Sequence, residues 1–112
     1  MKYETVNRPW GWYKILEKKE KLWIKIIFVN KGARLSLQSH ENRSEVWFVL
    51  KGKIETVVGN KNEVFGIGGI VKIGKQEKHR LAGLKNSYVL EIAFGRPRER
   101  DIIRYEDDYG RA

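Results

Sequence analysis

SLQSHENRSEVWFVLKG, residues 36–52, sets a polar opening ahead of an apolar run that stops at Gly52. In EVWFVL, strand alternation sends Glu45, Trp47 and Val49 to one side and Val46, Phe48 and Leu50 to the other. Both sides are largely apolar, which a sheet with one face in water does not tolerate. The run at 22–30 reads the same way, with Trp23, Ile27 and Val29 opposing Ile24, Ile26 and Phe28. One face of such strands fills a core, and the other calls for a cover, either the terminal segments or a second copy of the chain. A homodimer is therefore expected.

Beyond this stretch, strand-like runs recur at 13–18, 34–40, 53–58, 63–66, 70–73, 79–84 and 87–94, alongside 22–30 and 45–51. No window repeats at helical spacing. Turn chemistry separates the runs: NKGA at 30–33, GNKN at 59–62, GIGG at 66–69 and GKQEK at 74–78. The chain reads as all-β, and short strands at this spacing predict a sandwich or barrel. Its 112 residues suit a single domain spanning 1–112, with 1–12 as an N-terminal arm. From residue 96 the composition shifts to RPRERDIIRYEDDYGRA, a charged tail over 96–112 expected to pack back onto the barrel through Ile102, Ile103 and Tyr105.

Hydrophobic residues at 41% and charged residues at 33% are the balance of a folded globular chain. Apolar stretches such as IIFV at 26–29 are too short to cross a bilayer, and MKYETVNRPW lacks the apolar core of a secretion signal, so no membrane partner and a cytoplasmic location are expected. Zero cysteines exclude disulfides, Cys-ligated zinc and thiol nucleophiles, so any metal must be held by nitrogen and oxygen. The net charge of +9 fits nucleic acid, a phosphorylated small molecule or solubility alone. The basic residues are scattered or interrupted, as in KKEK at 18–21, which disfavours nucleic acid.

Side chains two apart on a strand share a face, so Arg34, Ser36, Gln38 and His40 line up. If that face is the interior, the row must be hydrogen bonded, bind a metal or meet a ligand. Glu45 can return to the same mouth after the bend at 41–44, and His79 follows a later loop. Gln38, His40, Glu45 and His79 then offer four nitrogen or oxygen donors to one divalent ion. Satisfied core or surface residues are the competing reading.

The spacing adds a pattern. From Gly32, five residues precede Gln38, one more precedes His40, four precede Glu45 and six precede Gly52. This resembles the first motif of the cupin superfamily, a double-stranded β-helix or jelly roll, with Gln38 in place of its first histidine. Gly68, Gly74, Gln76 and His79 resemble the second motif, although Gly74 stands for its proline, Gln76 for its next glycine and Gly83 for its trailing asparagine. A narrower resemblance covers nearly the whole chain. RPWGWYKILE at 8–17, KGARLSLQSHENRSEVWFVLKG at 31–52, HRLAG at 79–83 and DIIRYEDDYGR at 101–111 resemble the type II mannose-6-phosphate isomerase domain. In many bacteria that domain is the C-terminal part of a bifunctional enzyme with mannose-1-phosphate guanylyltransferase.

The resemblance implies interconversion of mannose 6-phosphate and fructose 6-phosphate, with a proton moved between C1 and C2 through an enediol. Such a reaction needs a Lewis acid, a base and cations for the phosphate. Gln38, His40, Glu45 and His79 match the metal positions; zinc is the first expectation, and manganese, iron, cobalt or nickel suit the same ligands. Arg34 either meets the substrate or pairs with Glu91 or Asp107. Lys78, Arg104 and Arg111 are the phosphate candidates, whereas Arg80 should point away. Tail carboxylates Glu106, Asp107 and Asp108 supply a base or, by preference, anchor Arg111. Trp10 and Trp47 read as packing residues. Family members read His-His-His where this chain has His40, Glu41 and Asn42, and His where it has Val46. Glu41 is then the stand-in for a base, with an exposed loop glutamate as the alternative. A cupin that binds a phosphorylated sugar without turnover, or serves as a partner subunit, is the alternative function. Nucleotide transfer is not expected of this chain alone, which lacks a Gly-rich nucleotide loop.

Overall fold

Turns divide residues 3–112, those described by the computed structural model, into strands without a helix. β1 (Thr5–Arg8), β2 (Gly11–Lys18), β3 (Leu22–Val29), β10 (Ser87–Gly95), β5 (Arg43–Lys51) and β8 (Ile70–Ile73) form one antiparallel sheet in that spatial order. β11 (Ile103–Glu106), β4 (Leu37–Ser39), β9 (His79–Gly83), β6 (Ile54–Val58) and β7 (Lys61–Phe65) form the second. Strand order that jumps between distant parts of the chain is the mark of a jelly roll. No helix among the described residues is long and apolar enough to cross a membrane.

The alternation read from 22–30 and 45–51 holds through the six-stranded sheet. Ile27, Val89 and Val49 are cross-strand partners, and all three are buried in the core with Trp10, Ile54, Val71 and Leu81. The neighbouring inward row is Lys25, Glu91 and Trp47, and the next is Trp23, Ala93 and Glu45. The inward face therefore grades from apolar to charged along the strands. Ala93, the smallest member of its row, lies beside Glu45. On the outward face Phe28 pairs with Tyr88 and Ile26 with Leu90, and Trp12 stacks on Phe28 at 5.6 Å. Phe94, Leu50 and Ile70 on this face are exposed.

Three expectations are revised. The run at 34–40 keeps only Leu37–Ser39 as strand, with a single bridge from Arg34 to Ala82. The expected arm is mostly a hairpin: Arg8 pairs with Gly11 across the Pro9–Trp10 turn, while residues 1 and 2 lie outside the described residues. Pro9 presets the turn, and Trp10 drops into the core, where its carbonyl accepts from the Asn30 backbone at 2.9 Å. The tail docks as strand β11 against β4, but Ile103 and Tyr105 stay exposed. Of the expected patch only Ile102 packs, half-buried in the cavity wall, and the Tyr105 hydroxyl adds a polar anchor, reaching Ser39 Oγ at 2.8 Å.

Candidate metal centre

His40 directly follows β4, Glu45 is the third residue of β5 and His79 opens β9, so three strand ends deliver three buried donors to one point. Their ligating atoms all lie within 4.8 Å of one another. His40 Nδ1 contacts the Asp101 carbonyl at 2.5 Å and His79 Nδ1 the Glu77 carbonyl at 2.9 Å. A carbonyl only accepts, so each Nδ1 carries the proton and each Nε2 keeps a lone pair. Those lone pairs face Glu45: His79 Nε2 lies 3.4 Å from Oε1 and His40 Nε2 lies 3.6 Å from Oε2.

Acceptor facing acceptor is unfavourable unless a cation lies between. Both Glu45 oxygens and His79 Nε2 are buried without a hydrogen-bond partner, and such orphaned polar atoms are costly. Donors held about 2.0–2.2 Å from one ion sit roughly 3–3.5 Å apart, close to the spacing here. Burial and the Arg43 guanidinium push His40 down to about 4, and burial lowers His79, so both imidazoles are neutral and ready to ligate near neutral pH. Without a cation, burial followed by the charge of Glu91 pushes Glu45 up to about 8. The donor set thus fits a divalent ion bound by nitrogen and oxygen.

Arg43 completes the cluster. Its Nη2 donates to His40 Nε2 at 3.0 Å, and its Nε lies 3.0 Å from Glu45 Oε2, an ion-pair contact off the hydrogen-bond line. Arg43 precedes Glu45 by two residues on β5 and so shares its inward face, a signal the sequence carried. Lys25 and Glu91 were likewise legible as charges at inward positions of apolar runs. They are ladder partners, and the Trp47 indole donates to Glu91 Oε1 at 3.2 Å. Burial raises the Glu91 carboxyl, but Lys25, Arg43 and the indole outweigh it and hold the group below the usual carboxylate range. Arg43 and Glu91, with Gln38, line a cavity that also receives Arg104 and Arg111.

Gln38 lies opposite His79 in the ladder, and its amide oxygen accepts from Ser36 Oγ at 3.0 Å. Arg34 leaves the expected inward row. The segment before β4 is not regular strand, so alternation does not carry back to it; Leu35 lines the cavity instead. Arg34 is exposed and makes a two-pronged pair with Asp108 at 2.7 and 2.9 Å, rather than pairing with Glu91 or Asp107. Glu41 is exposed, its carboxylate accepting from Gln76 at 3.0 Å. Lys78 sits 4.2 Å from the centre of the Tyr105 ring. Arg111 is anchored by Asp107 at 3.0 Å, and Arg104 keeps a buried Nε without a partner. Arg80 turns away to the Leu35 carbonyl at 2.9 Å. Trp10 and Trp47 are core residues.

The model of the mannose-6-phosphate isomerase C-terminal family matches residues 1–107. The chain belongs to this family. It is 35% identical over 112 residues to the xanthan biosynthesis protein XanB of Xanthomonas campestris pv. campestris, covering 97% of this chain and 24% of that protein. It is 37% identical over 109 residues to the alginate biosynthesis protein AlgA of Pseudomonas aeruginosa, covering 95% and 23%. With the mannose-1-phosphate guanylyltransferase ManC of Salmonella typhimurium it shares 31% identity over 112 residues, covering 97% and 23%. The chain spans about a quarter of the length of these curated relatives. Solved structures support the jelly-roll cupin fold. KdgF from Halomonas sp. superposes with a TM-score of 0.78 at 18% identity, covering 87% of this chain and 88% of that one. An RmlC-like cupin from Shewanella frigidimarina gives 0.75 at 20%, covering 87% and 86%.

One departure from the family pattern has a structural counterpart. Gln76, standing where the second motif has glycine, is the one non-glycine residue with positive φ (63°) among the described residues. It bonds Glu41, itself a departure, and its backbone N–H donates to the His40 carbonyl at 2.7 Å.

Proposed function

We propose that the chain is a metal-dependent isomerase interconverting mannose 6-phosphate and fructose 6-phosphate. The observation that carries this is the buried His40–Glu45–His79 cluster, with its orphaned acceptors, on a chain matched to the isomerase family over residues 1–107. His40, Glu45 and His79 would hold the ion, with Gln38 as fourth donor; zinc is our choice, and manganese, iron, cobalt or nickel suit the set. When bound, the ion supplies Lewis acidity toward the sugar's adjacent oxygens. Arg104 and Arg111, on the cavity wall, hold the phosphate. The C1–C2 proton needs a base inside the cavity. Glu91 lines it and is kept ionised by Lys25, whereas Glu41 is exposed and engaged by Gln76. Glu91 is therefore the proton carrier in this reading, and Arg34 and Lys78 hold the tail. A phosphorylated sugar, a second copy of the chain and a cytoplasmic setting complete the proposal.

A second reading, a cupin that binds a phosphorylated sugar without turnover or serves as a partner subunit, is favoured by the Glu41–Gln76 bond, which occupies the group standing where the family has histidine. Metal analysis joined to a coupled assay for fructose 6-phosphate separates the two. About one ion per chain with turnover is expected of the isomerase. Stoichiometric metal without turnover selects the second reading, and protein unable to take up added zinc or manganese removes both.

A further inference from the structure

The loop that delivers His79, residues 74–78, is held at each end. Gly74 N–H donates to the Glu77 carboxylate at 3.0 Å, the Lys78 carbonyl accepts from Gly59 N–H at 2.7 Å, and the Glu77 carbonyl meets His79 Nδ1 at 2.9 Å. Gln76 sits in the middle with φ 63°, a conformation that L side chains rarely adopt. Such strain persists only where surrounding contacts over-determine it. Two contacts do so here, and both lead to the other histidine. Gln76 N–H donates to the His40 carbonyl at 2.7 Å, and Gln76 Nε2 donates to Glu41 Oε2 at 3.0 Å. The same short stretch is gripped by the tail, since the Asp101 carboxylate accepts from the backbone N–H groups of Glu41 and Asn42. Between the strands that carry the two histidines there is little else: β4 and β9 meet at one ladder pair, Gln38 with His79. Beyond that pair the loops need a tie of their own.

We propose that Gln76 and Glu41 form a clasp that holds the His40 and His79 loops at the spacing a bound ion needs, which makes Gln76 a positioning residue for metal retention. The inference rests on the metal reading of this site and is independent of turnover. Each imidazole is oriented by a carbonyl behind it, Asp101 for His40 and Glu77 for His79, and the clasp joins the two segments that carry these histidines. With the spacing preset, an ion does not have to order the loops as it binds, and the effect falls on release rather than on uptake. The strained φ and the clasp go together, because in this conformation the backbone and the side chain of Gln76 reach His40 and Glu41 at once.

The test loads the whole chain with zinc and follows its release into an excess of a chromogenic chelator. Gln76→Gly and Glu41→Ala should each release zinc about three- to tenfold faster, with uptake within about twofold of wild type. The double variant should be no faster than the faster single one, since both changes remove one bond. Glu41→Gln, whose amide oxygen still accepts from Gln76, should stay near wild type. Lys75→Gln, at the exposed neighbour in the same loop, should change nothing. Glycine suits φ 63°, so metal-free Gln76→Gly should melt no lower than metal-free wild type while it loses zinc faster. Metal-free stability and zinc retention falling together would overturn the positioning role. Zinc release unchanged in both single variants would overturn the clasp and leave the metal reading standing, whereas wild-type protein that takes up no zinc would overturn both.

Discussion

Glu45 and its two histidines determine how the metal-free chain should respond to pH. His40 is lowered to about 4 and His79 is also lowered, so folding excludes protons that the unfolded chain binds below its ordinary histidine value near 6.5. Their contribution is full above about 6.5 and is lost as pH falls. Glu45 is raised to about 8, so its contribution is present below the unfolded carboxylate range and is lost as pH rises toward 8. Below about 6.5 the two histidines outweigh the one carboxylate, and above it only Glu45 titrates. Stripped protein should therefore melt highest near pH 6.5, and added zinc should flatten the alkaline side by keeping Glu45 ionised. A melting temperature of the stripped protein that still climbed from pH 6.5 to 8 would contradict the assignment. Glu91 and Glu41 divide differently. Glu91→Gln should lower kcat by about a hundredfold or more in the coupled assay, and Glu41→Gln by no more than about twofold. The opposite order would return the base to the exposed loop.

The tail and the first hairpin each position the site through backbone contacts. Asp101 accepts from the backbone N–H groups of Glu41 and Asn42, both at 2.8 Å, while its own carbonyl orients His40. Asp101→Ala, which removes both side-chain acceptors that pin the Asp101 carbonyl against His40, should weaken metal binding roughly tenfold, the usual cost of loosening a ligand's orientation, with the fold retained. Equilibrium competition with a chromogenic chelator measures it. In the hairpin, Gly11 has φ +153°, and a Cβ there would lie 2.0 Å from the Phe28 carbonyl oxygen. Gly11→Ala should cost about 2–4 kcal/mol in urea unfolding, through forced separation of β2 from β3. A loss below about 0.5 kcal/mol would mean that the two strands do not approach as described.

For the whole molecule, the outward face of the six-stranded sheet needs an occupant. Five of its strands, β2, β3, β10, β5 and β8, carry apolar residues there. At about 4.8 Å per strand and about 3.3 Å per residue over roughly seven residues, the face spans on the order of 550 Å² per copy. Two copies face to face would bury on the order of 1,100 Å², enough for a specific interface. We propose a second copy as the occupant. Light scattering should return about twice the 13.2 kDa of one chain, and Phe28→Glu should return the single chain. A monomer at tens of micromolar would refute this, leaving the rest of a longer protein as the cover.

Most of the strands were legible because they are nearly continuous apolar runs rich in β-branched and aromatic residues and bounded by turn residues, as at Leu22–Val29 and Ser87–Gly95. β1 and β11 were not, because TVNR and IRYE are short and mostly exposed and acquire strand geometry only by pairing with β2 and β4. His40, Glu45 and His79 could be named because the spacing around them resembles the two cupin motifs, whose metal positions they match. Arg34 was misplaced because alternation was extended into backbone that is not strand.

What the sequence by itself determined is therefore the all-β class, the family and three residues of the candidate metal cluster: run composition and motif spacing are local properties that a chain carries before it folds. Only the tertiary structure decided which charges meet. Arg43 lies against His40 and Glu45, Lys25 opposite Glu91, and Arg34 against Asp108. Charge pairing depends on through-space distances of a few ångströms between residues up to 74 positions apart, and only the closed barrel and its returning tail set those distances.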